Sequence, residues 1–184
     1  MKFSYSWLCD HLETDKNATE IGDALTNLGL ELESLTDYSS YSKFVVATIK
    51  DFHKHPNADR LNICTVDDGT NTYQVICGAN NVKKGLKGIF AKDGMYIPGT
   101  QIYLKKGKIR GEISEGMLLS ERELNLSDDH DGIIELSDNF ENGTSAIDAL
   151  KLNDPVFEIG ITPNRGDCLG VRGVARDLSA KGIG

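Results

Sequence analysis

HKHPNADRLNICTVDDGTNTYQVIC, His53 to Cys77, is the stretch that decides how this chain is read. Two runs, LNICTVD and TYQVIC, are rich in strand-forming residues and are joined by DDGTN. Asp68-Gly69 is a strong turn signal, so the two runs are expected to form an antiparallel hairpin. The first part of the stretch raises a rival reading. His53 and His55 stand two apart, so on a regular strand both point to one face, with Asp59 or Cys64 as a third ligand. A zinc site needs three or four ligands and partners that orient them. Pro56 and Asn57 supply a turn instead, and no metal site is expected.

Working outward, Tyr41 to Leu150 holds more runs of the same kind: FVVATIKDF, KGIFA, TQIYL, GKIRG, GMLLS and GIIEL. Asp93-Gly94 and Pro98-Gly99 punctuate them. A short helix is expected from Ser120, with Glu123 completing a capping box, and another from about Thr144 to Leu150. Many short strands favour a small closed barrel, and a five-stranded OB barrel of about 100 residues fits. The flanks read differently. In NATEIGDALTNLG, Asn17 caps a helix, Glu20 completes the box, and Ala18, Ile21, Ala24, Leu25 and Leu28 form its apolar stripe. Gly29 stops it. Near the other end, Asp167 is expected to cap a helix built on Val171, Val174, Ala175 and Leu178. The expected class is mainly β with α/β flanks. An OB-fold barrel at 41–150 is inserted into a split α+β domain formed by 1–40 and 151–184.

The chain has 184 residues, enough for one or two cores. No apolar run approaches the roughly 20 residues that span a bilayer, and the start MKFSYSWLCDHLE lacks a secretory pattern. Cys9, Cys64, Cys77 and Cys168 are scattered, which suits reduced thiols in the cytoplasm rather than a disulfide frame.

Net charge is −8, yet it is unevenly spread. Lys83 to Gly111 carries eight basic residues (Lys83, Lys84, Lys87, Lys92, Lys105, Lys106, Lys108 and Arg110) against Asp93 alone. Glu112 to Glu158 carries thirteen acids against Arg122 and Lys151. With a Debye length of roughly 8 Å at physiological salt, a basic face feels distant acids weakly and can hold a polyanion.

Three segments are candidate sites. In CGANNVKKG, Cys77 to Gly85, Gly78 and Ala79 leave backbone uncovered, Asn80 and Asn81 offer amides, and Lys83 and Lys84 can reach phosphate. YLKKGKIRGEISEGMLLSEREL, Tyr103 to Leu124, places cations around a glycine turn and then Ser114, Gly116 and Met117, as a nucleic-acid groove requires. Phe44, Phe52, Tyr73, Phe90, Tyr96 and Tyr103 are available for stacking, but some must fill the barrel, so none is assigned. DDHDG, Asp128 to Gly132, lacks the spaced ligands of a calcium loop and reads as a solvated turn. No phosphate loop, carboxylate pair or nucleophile–histidine–acid set stands out, so no catalytic residue is expected.

Taken in order, FSYSWLCDHL, HPNADRLNICTVDDG, QVICGANNV, KIRGEISEGMLLSERELNL, DDHDGIIEL and DPVFEIGITPNRGDCLGVRGVARDLSA resemble the N-terminal part of the bacterial phenylalanyl-tRNA synthetase beta subunit. CGANNV with RGEISEGML is similar to the tRNA-binding OB module itself. The resemblance implies an OB barrel within a split domain. It implies a tetramer of two alpha and two beta subunits that joins phenylalanine to tRNA with ATP and magnesium. The catalytic site then lies on the alpha subunit, and this chain is a non-catalytic fragment that binds no cofactor of its own. Its RNA-binding positions are Asn80, Ser114, Met117 and Ser120, with Lys83, Lys84, Lys105, Lys106 and Arg110 as a basic edge. Two alternatives stay open. The acidic stretch Glu112–Glu158 suits a docking module with little RNA contact, and the barrel alone suits a free-standing tRNA binder.

Overall fold

The computed structural model describes all residues, Met1 to Gly184. In chain order the elements are β1 (Lys2–Ser4), α1 (Tyr5–Cys9), α2 (Ala18–Asn27), β2 (Leu32–Thr36), β3 (Val45–His55), β4 (Ala58–Asp67), β5 (Thr72–Cys77) and β6 (Lys87–Lys92). Then come β7 (Tyr96–Ile97), β8 (Ile102–Tyr103), β9 (Gly107–Ile109), β10 (Glu112–Ser114), β11 (Gly116–Leu118), α3 (Ala146–Leu150), β12 (Val156–Ile159) and α4 (Val171–Ala180). The chain divides into two compact units, Met1–Ser39 with Lys151–Gly184, and Ser40–Leu150.

The hairpin at Leu61–Cys77 forms: β4 and β5 pair from Asn62↔Cys77 to Asp67↔Thr72. Alternation buries Cys64, Val66, Val75 and Cys77 on one face, where they meet Ala47, Ile49, Leu86, Phe90 and Leu118. At the turn, Gly69 sits at φ 90 with the Asn142 carbonyl where a side chain would stand, so only glycine fits. The antiparallel sheet runs β11-β6-β3-β4-β5. It curls until its last strand meets the chain between β10 and β11. Glu115 N–H donates to the Gln74 carbonyl at 2.9 Å, and Ile76 N–H donates to Ser114 Oγ at 3.1 Å. These bonds nearly close the barrel into an OB-like fold. Cys64 is fully buried in this cluster, and burial pushes its thiol up to about 12.

The other unit is a three-stranded sheet, order β1-β12-β2, covered by helices. Asn17 and Glu20 form the reciprocal capping box of α2. Its buried residues Ile21, Ala24 and Leu25 pack with Phe3, Phe157, Val174 and Leu178.

Three expected elements differ. No helix continues from Ser120: a single helical bond forms, from Leu124 N–H to the Ser120 carbonyl at 3.4 Å, and the Glu123 carbonyl that the next turn would use accepts Gly99 N–H at 2.8 Å instead. Asn125, at φ 53, then turns the chain away. GIIEL makes only an isolated bridge, Lys87↔Leu136. Asp167 does not cap α4, whose N-cap is Gly170; its carboxylate instead pairs with Arg165 and Arg176.

Candidate nucleic-acid interface

The tips of two hairpins are joined by one histidine. Between β9 and β10 the turn residues Arg110 and Gly111 have φ 50 and 103, the positive pair of a type I′ turn. His55 Nδ1 accepts Asn57 N–H at 3.0 Å, so Nε2 carries the proton and donates to the Ile109 carbonyl at 3.1 Å. Asn57 Nδ2 donates to the Arg110 carbonyl at 3.3 Å. The expectation that His53 and His55 share a face fails. A bulge between Lys54 and His55 breaks the alternation, burying His55 and leaving His53 exposed. With both ring nitrogens of His55 engaged, the residue is a fastener rather than a metal ligand.

The basic run does not form one strip. Lys92 meets buried Asp68 at 2.6 Å and lies 5.6 Å from the Tyr73 ring centre. Lys87 donates to the carbonyls of Asp138 and Phe140. Lys83 faces Glu135 and Lys106 faces Glu115, each at 2.6 Å, and these hydrogen bonds hold both glutamates below the usual carboxylate range. Lys84 reaches Asp51 only at 3.9 Å. Lys105, Lys108 and Arg110 are exposed and form no ion pair. Beside the His55 joint, exposed Lys54 and Arg60 are also unpaired. The sequence reading passed over those two because they lie outside the basic run, although HKHPNADR contains them.

The remaining candidate positions separate into a groove and its supports. A cavity of about 200 Å³ is lined by residues that include Gly78, Ala79, Met117, Ser120, Glu123 and His130. Asn80 is exposed on the turn after Ala79, with its amide unengaged. Asn81 is used structurally, exchanging bonds of 2.8 and 3.0 Å with Ile133. Ser114 is buried in the closing seam, accepting from Ile76 and donating to the Gly116 carbonyl at 3.0 Å. Ser120 is buried and hydrogen-bonds Glu123.

Of the aromatics, Phe44 and Phe90 are buried, whereas Tyr96 and Tyr103 are 45% and 67% exposed. The last two face each other across β7 and β8 with ring centres 5.2 Å apart. Ile102, Ile109 and Ile113, near them in sequence, are also exposed.

Asp167, Cys168 and Asp177 bring three ligand atoms together in the flanking unit. The donor set does not suit a cation. Arg165 Nε lies 3.1 Å from Asp167, Arg176 lies 2.8 Å from Asp177, and Arg165 also contacts the Cys168 sulfur at 2.8 Å. Hydrogen bonds from both arginines keep Asp167 far below the usual carboxylate range. The cluster is an internal ion-pair network.

An OB-like barrel with a shallow groove and unpaired cations at its hairpin tips defines a class, the oligonucleotide-binding barrels. Residues 44–145 match the model of the family described as "Putative tRNA binding domain", and the chain belongs to that family. Over its full length the chain is 50% identical to a phenylalanine–tRNA ligase beta subunit of Brucella abortus, and 52% identical to that of Mesorhizobium japonicum. It spans 23% of the length of each. A MetRS-related protein from Pyrococcus horikoshii aligns at 22% identity and a TM-score of 0.41, over 56% of this chain and 87% of that one. No helix is long and apolar enough to cross a membrane.

Proposed function

We propose that the chain is the tRNA-holding region of a phenylalanine–tRNA ligase beta subunit and performs no chemistry itself. One observation carries this reading. On a barrel of the tRNA-binding family, Lys54, Arg60, Lys108 and Arg110 stand exposed and without ion pairs on the two joined hairpins, and Lys105, also unpaired, leads into the second. Lys84, exposed Asn80 and the groove at Met117 and Ser120 extend the surface, while Lys83 and Lys106 add little net charge beside their glutamates. In the whole enzyme this region works in the cytoplasm with the rest of the beta subunit and with alpha subunits in a two-plus-two tetramer. ATP and magnesium act elsewhere in that assembly.

If about five phosphates are neutralised at roughly −0.7 each, the log–log salt slope is about −3.5, and affinity falls about a hundredfold from 50 to 200 mM salt. Titrating labelled tRNA against the purified chain by fluorescence anisotropy tests this. The triple change Lys105→Glu, Lys108→Glu and Arg110→Glu is expected to abolish most binding, while Lys83→Glu changes it less than about twofold. A flat salt response, or equal loss in both variants, would remove the reading.

A further inference from the structure

Phosphate contacts hold an RNA strand without seeing its bases; a base needs an exposed flat surface. Tyr96 and Tyr103 provide one. Both lie on a two-residue ladder whose next pair, Ile97↔Ile102, is anchored by fully buried Ile97. Their mutual contact at 5.2 Å, tilted by 57°, cannot open to admit a base between them without separating the rings, since two stacked layers need roughly 7 Å or more. The free surface is therefore on Tyr103, the more exposed ring, which its contact with Tyr96 helps hold in place. Lys105 follows two residues later, at most about 7 Å along the chain, and carries no ion pair. Lys108 and Arg110 continue the positive charge along the next hairpin.

Resting on the tRNA-holding reading, we propose that Tyr103, braced by Tyr96, is a stacking site for one unpaired RNA base, whose flanking phosphate is held by Lys105. The occupant is an unpaired nucleotide of a loop or an end. Duplex RNA keeps its base faces covered and gains nothing from the ring. The site accepts any base, because stacking needs only a flat face and every base has one.

The test uses the full chain with three probes: a single-stranded RNA of about ten nucleotides, the same strand with its bases removed but its phosphates intact, and a duplex. Tyr103→Ala is expected to weaken single-strand binding about tenfold, leave the salt slope unchanged, and leave the baseless strand and the duplex unaffected. Tyr103→Phe keeps the ring and should bind like the parent. Tyr96→Ala should show a smaller loss. If Tyr103→Ala binds the single strand as the parent does, or loses the baseless strand equally, the stacking site is overturned while salt-dependent tRNA binding still supports the wider reading. With single-strand binding unchanged, the exposed rings are a docking patch for protein; with equal loss on the baseless strand, Tyr103 serves the backbone and not a base. If the parent binds none of the three probes and no tRNA, both readings fall.

Discussion

Replacing Asp68 by asparagine tests the account of the central hairpin most directly. The carboxylate is 3% exposed and accepts three bonds: from Thr70 N–H at 2.9 Å, Asn71 N–H at 2.7 Å and Lys92 Nζ at 2.6 Å. Burial pushes its acid strength the unfavourable way, but the bonds from Lys92, Asn71 and Thr70 outweigh that and bring the carboxyl down to about 2. Against an ordinary value near 3.9, a displacement of nearly two pH units corresponds to roughly 2.5 kcal/mol. Loss of one charge-assisted bond gives about 1.5–3 kcal/mol, a consistent figure. Lys92 is about one-third exposed and can re-solvate, so the 3–5 kcal/mol typical of an orphaned buried charge is not reached. Asp68→Asn should therefore destabilise the barrel by about 2–3 kcal/mol at pH 7. Because the folded carboxyl titrates below the unfolded one, this advantage is complete above about pH 5 and fades as pH falls through 3.9 towards 2. Near pH 2.5 the gap between parent and variant should shrink below about 1 kcal/mol. Urea unfolding read by amide exchange in β4 and β5 follows the barrel separately from Trp7 in the other unit. A gap under about 0.5 kcal/mol at pH 7, or one unchanged at pH 2.5, would refute the argument.

Two further outcomes follow from the seam and the loops. Ser114→Ala leaves the Ile76 N–H without its acceptor and should cost about 1–2 kcal/mol, with faster amide exchange at Ile76 and Glu115 than elsewhere in the barrel. Unchanged exchange at both amides would mean that the barrel closes without this hydroxyl. Gly99→Ala puts a methyl group into the Arg122 carbonyl, so the 120–125 turn must move and soluble yield or melting temperature should drop sharply. A variant as stable as the parent would show that the close approach of these two segments is not needed.

The parts of the fold that were legible in the sequence are those whose causes are local. Asp68-Gly69 between two strand-forming runs announces the hairpin, and Asn17 with Glu20 announces the start of α2, because each signal needs only a few neighbouring residues. The Ser120–Glu123 pair shows the limit of this reasoning. The two residues do hydrogen-bond, yet Gly99 claims the Glu123 carbonyl that a continuing helix would use, and Asn125 turns the chain away. β1 and β12 gave no signal because each is short and finds its partner at the far end of the chain, as in Phe3↔Phe157. The same holds for charge. Lys83 is neutralised by Glu135 and Lys92 by Asp68, partners that a charge count along the chain cannot assign. Composition counted six aromatics as candidate platforms, and only packing sorted Phe90 into the core and Tyr103 into solvent.

The strand pairing Phe3↔Phe157 also sets an order of events on the ribosome. At about 5–20 residues per second, roughly 150 residues of synthesis keep β1 waiting some 8–30 seconds for its partner. The barrel, whose strands and closing seam come from one continuous stretch, has everything it needs well before then. The inserted part is thus placed to mature first, and the host sheet to be completed only after it.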